Sequence, residues 1–427
     1  MALFPMEFRK STRFQGKSQN NRGPHRFIPM ALAALVLVGG VFAAKEAHAP
    51  TLVEGKLPIA PADGGLSPLS VPIQAAVHSG WAPVDSGDGR GEVGLSVAAT
   101  LTGLGQDALD ERLDDFVALG VTWVRLDFDW SVIQRDGPDT YDWSRIDRVV
   151  AAANERGLKL LPILTYTPRW ARDDGCTSKC PPNDPADFAR FAGAAAERYA
   201  PRGIHIWEIW NEPNAVAFWK PAADPVKYSD LLKGAYLAIK NIDPEARIIS
   251  GGLAIVPTRN GSIAPREYLA ALYAEGAGAY FTAVGFHPYS FPATATYAAS
   301  WNAWQQMENT DPSLRSIMIA NGDRDKQIWI TEYGAPTNGP GNASAAYVAG
   351  EKTDHVTEER QKEMLVDAIT DAAEHEWLGP FFWYSYKDIG TSRSTTENFY
   401  GLTRADGSPK PAYDALKSLL RGSGSAE

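Results

Sequence analysis

The sequence predicts an α/β fold in which eight parallel strands close into a (β/α)8 barrel, and three observations predict it. Short apolar runs recur from Glu92 to Tyr386. Amphipathic segments at helical spacing lie between them. The strand–helix alternation repeats eight times over residues 92–421. Alternating strands and helices imply a parallel sheet, and eight repeats suit a closed barrel; an open doubly wound sheet is the alternative.

The chain before the first repeat has a different character. Residues 1–26 are basic (Arg9, Lys10, Arg13, Lys17, Arg22 and Arg26 against Glu7), and 27–44 carry no charge. Ala47-His48-Ala49 offers a small-residue cleavage pattern, although Pro50 disfavours a cut just there. Residues 1–49 therefore read as a signal peptide, or as an uncleaved signal anchor whose apolar core, 27–44, approaches the length that spans a bilayer. Both readings keep the basic end inside and export the rest, so the expected location is secreted, or membrane-anchored with the barrel outside. Residues 50–91 hold thirteen Pro and Gly in forty-two positions and read as a linker. The "GRGEVG" beginning at Gly89 formally matches a dinucleotide loop, but it leads into a strand rather than out of one.

The strands follow in order: "EVGLSV" (92–97), "VTWVRLDF" (121–128), "LKLLPILT" (158–165), "IHIWEIW" (204–210), "ARIISGG" (246–252), "FTAVGFH" (281–287), "QIWIT" (327–331) and "GPFFWYSY" (379–386). "DALDERLDDFVALG", "SRIDRVVAAANERG", "PADFARFAGAAAERYA" and "TEERQKEMLVDAITDAAEH" show the helical spacing between them. "YDALKSLL" (413–420) supplies the closing helix, so 92–421 form one domain and 422–427 a tail.

Charge narrows the partners. The chain carries a net −10, and residues 1–49 hold seven Lys/Arg against two Asp/Glu, which leaves −15 on the remainder. Nothing there replaces phosphate counterions, so a nucleic-acid partner is excluded. Contact with a membrane is expected only through the N-terminal segment, and the domain is expected to be a monomer. Cys176 and Cys180, four apart in "DDGCTSKCPP", read as one local disulfide in an oxidising compartment. No H-E-x-x-H, paired CxxC or phosphate loop is present, so neither metal nor cofactor is inferred.

In such a barrel the chemistry lies at the C-terminal ends of the strands. Polar residues that interrupt the apolar runs there are Arg125, Asp127 and Asp129 on strand two, Asn211-Glu212 on four, His287 and Tyr289 on six, and Thr331-Glu332 on seven. Strand eight brings Trp383, Tyr384 and Tyr386. Two carboxylates facing each other across the mouth are what glycosidic hydrolysis needs: one protonates the departing oxygen and the other attacks the anomeric carbon.

"WEIWNEPN" on strand four and "IWITEYGAPT" on strand seven resemble the glycoside hydrolases of clan A. The closing "NFYGLTRADGSPKPAYDAL" (398–416) is similar to that clan's ending. "DWSRIDRVVAAANERGLKLLPILTYTPRWA" (142–171) looks most like family 39 and relatives acting on exopolysaccharides, with family 5 next. The resemblance implies retention of configuration, with Glu212 as acid/base and Glu332 as nucleophile. It implies that Asn211 binds the sugar 2-hydroxyl, that Arg125 sits near the nucleophile, and that Trp383 stacks under the sugar. Tyr289 and His287 fall beside the pair. Strand three ends "TYTPRW" without the histidine of the family-5 pattern, which leaves Tyr166 or Trp170 in that space.

Each assignment has a structural alternative. Glu208 shares a strand with Glu212 and is expected in a salt bridge. Asp127 and Asp129 either bind sugar hydroxyls or pair with Arg125, and His287 either touches substrate or serves as an interior hydrogen-bonding residue. Trp123, Trp207 and Trp329 belong to the core, whereas Trp130, Trp170 and Trp219, in loops, are candidate stacking platforms. The expected activity is retaining hydrolysis of a β-linked extracellular or cell-envelope polysaccharide, endo-acting. An exo-acting β-glycosidase and an inactive glycan-binding barrel are the alternatives.

Overall fold

A computed structural model describes residues 91–422. The expected signal or anchor segment (1–49), residues 50–90 of the linker and 423–427 of the tail lie outside the described residues. Eight parallel strands close into a barrel: β1 (Val93–Ser96), β2 (Trp123–Asp129), β3 (Lys159–Thr165), β4 (Ile206–Asn211), β5 (Arg247–Ala254), β6 (Ala283–His287), β7 (Gln327–Tyr333) and β8 (Leu378–Tyr384). They run in sequence around the barrel, and β1 closes it by pairing with both β2 and β8. A helix follows each strand: α1 (Gln106–Leu119), α2 (Ser144–Asn154), α3 (Pro185–Tyr199), α4 (Pro225–Ile242), α5 (Pro265–Ala274), α6 (Leu314–Ala320), α7 (Glu358–Glu374) and α8 (Pro411–Arg421). This is the (β/α)8 TIM barrel that the alternation predicts.

Local chemistry sets the boundaries. Asp184 and Asp224 accept from the first-turn amides of α3 and α4, and each precedes a proline at the first helical position. There the missing N–H costs nothing and the fixed φ suits the helix. Thr357 caps α7 through the Arg360 amide. α1 ends at Gly120, whose φ of 93° belongs to the left-handed region. The helices bury apolar stripes such as Leu109, Leu113 and Phe116 against the sheet.

Some boundaries differ from the expectation. β4 starts at Ile206 rather than Ile204, β7 continues to Tyr333, and β8 stops at Tyr384. The β6–α6 connection runs from Pro288 to Ser313, and the β7–α7 connection contains a two-residue parallel pairing of Ala343–Ser344 with His355–Val356. Among the described residues, no helix is long and apolar enough to cross a membrane.

The barrel interior is layered. Trp123, Leu161, Ile249, Ala283, Trp329 and Phe382 pack into an apolar plug at its lower end, backed by Ile206. Gly94 belongs to this layer because a Cβ there would run into Phe382 and Trp123. Above the plug the inward positions turn polar, with Ser96, Arg125 and Glu208 fully buried. The plug thus supports a polar floor, and the strand ends rise from that floor.

Candidate active site

Arg125 is the hub of the floor. Its Nε donates to Glu208 Oε2 at 2.6 Å and its Nη2 to Glu208 Oε1 at 2.9 Å, a bidentate pair with both side chains fully buried. Nη1 donates to Ser96 Oγ at 2.9 Å and to Glu332 Oε1 at 2.5 Å, and Nη2 also reaches Asn211 Oδ1 at 2.9 Å. Burial opposes the guanidinium charge, yet Glu208 and Glu332 outweigh it and raise its pKa further. Arg125 is therefore a permanent cation that orients two carboxylates and one amide.

Both mouth glutamates are turned inward by breaks in strand alternation. On β7, Ile330 pairs with Phe381 and Tyr333 with Trp383, three residues against two on β8. This bulge brings Glu332 to Arg125 although Trp329, three residues earlier, also faces the interior. On β4, Glu208 and Asn211 both meet Arg125 despite standing three apart. Trp210 between them has φ 69° and packs outward on Phe188 and Trp219, and Glu212 has φ 48°. Two adjacent-but-one side chains in the left-handed region are a strain that the surrounding packing must hold.

The two glutamates stand in different surroundings. Glu332 accepts from Arg125 at one oxygen and from the Tyr289 hydroxyl at the other, 2.8 Å away. Burial works against its charge, but His287, Arg125 and the Tyr289 hydroxyl prevail and hold the carboxyl below the usual range. Glu212 meets His287 Nδ1 at 2.9 Å, and that nitrogen is 3.7 Å from Glu332. Side-chain atoms of Glu212, His287 and Glu332 lie within 4.8 Å of one another, which brings one carboxylate oxygen of each glutamate that close. These three could surround a cation, but Arg125 and Tyr289 already occupy both oxygens of Glu332.

The other expected residues divide. Asn211 reaches Arg125 with its carbonyl, which fixes the amide orientation at the mouth. Asp127 is 8% exposed, and burial, opposed by Lys179, pushes its pKa up to about 7. Tyr166, just after β3, lies beneath the Lys179 ammonium, which is 3.0 Å from its ring centre. Arg125, expected near the nucleophile, and His287, expected either to touch substrate or to hydrogen-bond in the interior, are fully buried and bond to Glu332 and Glu212 respectively. Trp219 is no platform: its side chain is 1% exposed, packed on Trp210 and Tyr228. Trp130 is likewise buried against Phe188 and Phe191. Trp170 is half-buried, bonded to the Gln134 carbonyl at 2.7 Å, and borders a shallow groove with Arg135 and Arg169.

Trp383 requires the clearest correction. It is fully buried against Tyr333, facing away from the barrel axis. Phe382 faces inward in the plug, so alternation aims Tyr384, not Trp383, at the mouth. The phenol is surrounded by the charges of Glu332, Glu397, Asp127 and Glu212, which with burial keep it neutral. Counting two positions from Phe382 would have found it. Lys179 and Glu397 were missed because they sit in loops, where no period signals their direction. Burial, with Glu212 and Glu332 nearby, pushes the Glu397 pKa up to about 7. Cys176 and Cys180 are joined by a disulfide with Cα atoms 6.2 Å apart, in the loop that carries Lys179.

The sequence model described as Cellulase (glycosyl hydrolase family 5) matches residues 91–383, more than half of the chain. The chain belongs to glycosyl hydrolase family 5. This family-5 chain also shares its fold with a family 39 glycoside hydrolase from Bacteroides cellulosilyticus WH2, with a TM-score of 0.59 and 23% identity. That match covers 78% of this chain and 64% of the other, a little under two thirds. Among curated proteins, a β-amylase of Medicago sativa is 27% identical over 144 residues, 30% of this chain and 28% of its own length. A β-xylosidase of Geobacillus stearothermophilus is 41% identical over 61 residues, 14% of this chain and 12% of its own. The chain thus spans under a third of these two curated relatives.

Proposed function

We propose that this family-5 barrel is a retaining glycoside hydrolase, with Glu332 as nucleophile and Glu212 as acid/base. The observation that carries the reading is the approach of the two carboxylates within 4.8 Å. Retaining pairs stand about 5–5.5 Å apart, whereas inverting pairs leave about 6.5–9.5 Å for a water molecule. The asymmetry of their partners supports the division of roles. Glu332 is kept ionised by a guanidinium and a phenol, as a nucleophile must be, while Glu212 meets His287 through one oxygen and leaves its second for the substrate.

In the first step a Glu332 oxygen bonds to the anomeric carbon as the bond to the leaving oxygen breaks. Glu212 gives that oxygen its proton. In the second step the Glu212 carboxylate takes a proton from water, the water oxygen bonds to the anomeric carbon, and the ester to Glu332 breaks. Asn211, its carbonyl held by Arg125, keeps its amide N–H groups for the 2-hydroxyl. Tyr384 lines the sugar face opposite.

The substrate of this reading is a β-linked polysaccharide outside the cytoplasm, cut internally. Export is supported by the basic-then-apolar pattern of residues 1–49 and the acidic balance of the rest. Glu332→Gln and Glu212→Gln should each lower kcat on aryl β-glycosides at least a thousandfold, and a 2-fluoro glycoside should label Glu332. Retained hydrolysis, or a label elsewhere, would refute the roles. Product lengths from a polysaccharide panel test internal cleavage, since release of single sugars alone would make the enzyme exo-acting.

A further inference from the structure

Two charged side chains at the mouth are left without hydrogen bonds. Asp127, at the end of β2, is more than nine-tenths buried, and among the described residues its carboxylate has no hydrogen-bond partner. Lys179, from the β3–α3 loop, extends its ammonium over the Tyr166 ring, with the Phe218 ring 4.7 Å away on another side. That ammonium also has no hydrogen-bond partner and no ion pair among the described residues. Yet each feels the other's charge, and Lys179 further feels Asp129 and Glu212. Asp127 is buried and Lys179 partly buried, and a buried carboxylate is seldom left unpaired, because each unmade hydrogen bond forfeits the hydration given up on folding. An ionised Asp127, which accepts, and Lys179, which donates, each within reach of the other's charge, are complementary to a ligand that both donates and accepts.

We propose that Asp127 and Lys179 form a specificity slot for two adjacent hydroxyls of an uncharged sugar unit, Lys179 donating and Asp127 accepting. The inference rests on the glycoside hydrolase reading above and deepens it. The charge around the slot selects against a uronic acid. Asp129 and Glu332 bear on Asp127, and Asp129 and Glu212 bear on Lys179, while Arg125 is committed to Glu208 and Glu332. Lys179 alone does not offset a further carboxylate brought among them.

The disulfide has a positioning role in the slot. Cys176 and Cys180 close a short loop that contains Lys179, and the Lys179 carbonyl accepts from the Lys220 amide at 3.0 Å. Both constraints fix the backbone from which a long, flexible side chain must reach Tyr166.

The test uses the full chain on 4-nitrophenyl β-D-glucoside, xyloside, mannoside and glucuronide, and on the matching neutral oligosaccharides. Lys179→Met and Asp127→Asn should each raise KM on the best neutral substrate about tenfold, with the loss falling on KM rather than kcat. Lys179→Arg should recover part of it, and the double variant should be little worse than either single one. Cys176→Ala/Cys180→Ala should raise KM in the wild-type background and add nothing to Lys179→Met, which a purely structural disulfide would not do. Unchanged KM values in an enzyme that Glu332→Gln silences would overturn the slot and leave the hydrolase reading intact. A preference for the glucuronide would overturn it as well. Hydrolysis that survives Glu332→Gln would instead remove the reading on which the slot rests.

Discussion

At the mouth of the barrel, identical chemical groups acquire different properties from a few neighbours. Glu332 is drawn below the usual carboxylate range by its cationic and hydroxyl partners, whereas Asp127, buried without a hydrogen bond, titrates at about 7. The Asp127 shift has a consequence for stability. The unfolded aspartate releases its proton near pH 4, but the folded one keeps it to about 7. Folding is therefore penalised as pH rises through that window, and the penalty is complete above it. Asp127→Asn removes it, so the variant should gain about 4 kcal/mol relative to wild type at pH 8 and almost nothing near pH 4. Chemical denaturation at the two pH values checks this; an equal effect at both would mean that folding does not raise the Asp127 pKa. Residue identities at the mouth were legible, since Glu212, Glu332, Asn211 and Arg125 are where the strand ends placed them. Directions were less so: Trp383 and Trp219 are aromatic residues in the right segments whose rings point into the packing between sheet and helices.

Among the elements, β4 and β7 carry the glutamates because both depart from regular alternation. A strict period of two, counted from the inward Trp329, would put Thr331 and Tyr333 on the inner face and turn Glu332 outward. The bulge on β7 reverses this, and the left-handed residues Trp210 and Glu212 do the same at the end of β4. An apolar run locates a strand from sequence, but a bulge depends on how the partner strand pairs, which the run does not contain. β5 answers these departures with glycines. A Cβ on Gly252 would collide with His287 and the Thr331 hydroxyl, and one on Gly251 with the carbonyls of Ile209 and Trp210. Gly252→Ala should accordingly displace His287 and, through it, Glu212. Misplacement of a catalytic group by about 1 Å costs on the order of a hundredfold in rate. The expected outcome is a drop of that size in kcat with the fold retained, measured on an aryl glycoside alongside circular dichroism. Undiminished kcat would show that Glu212 does not depend on His287 for its position.

For the whole domain, the Arg125–Glu208 layer ties stability to chemistry. Eight strands meet around a polar floor that a barrel does not need for folding, since the apolar plug below already fills the interior. Burying two charges is costly, and an ion pair that recovers this cost seldom outperforms apolar side chains of equal volume. Removing one partner is worse, because the other charge is then left alone in the core. Glu208→Ala should thus cost about 3–5 kcal/mol, and Arg125→Met a comparable amount, with Glu208 and Glu332 both losing their cation. The double variant Arg125→Met/Glu208→Leu removes both charges and restores packing, so it should be more stable than either single variant. It should nonetheless be nearly inactive, because Glu332 and Asn211 lose the group that orients them. Urea unfolding and kcat, measured together, separate these effects. If the double variant is as unstable as the worse single one, the layer is structural. If it recovers stability while activity stays lost, the buried pair is kept for the mouth of the barrel rather than for its walls.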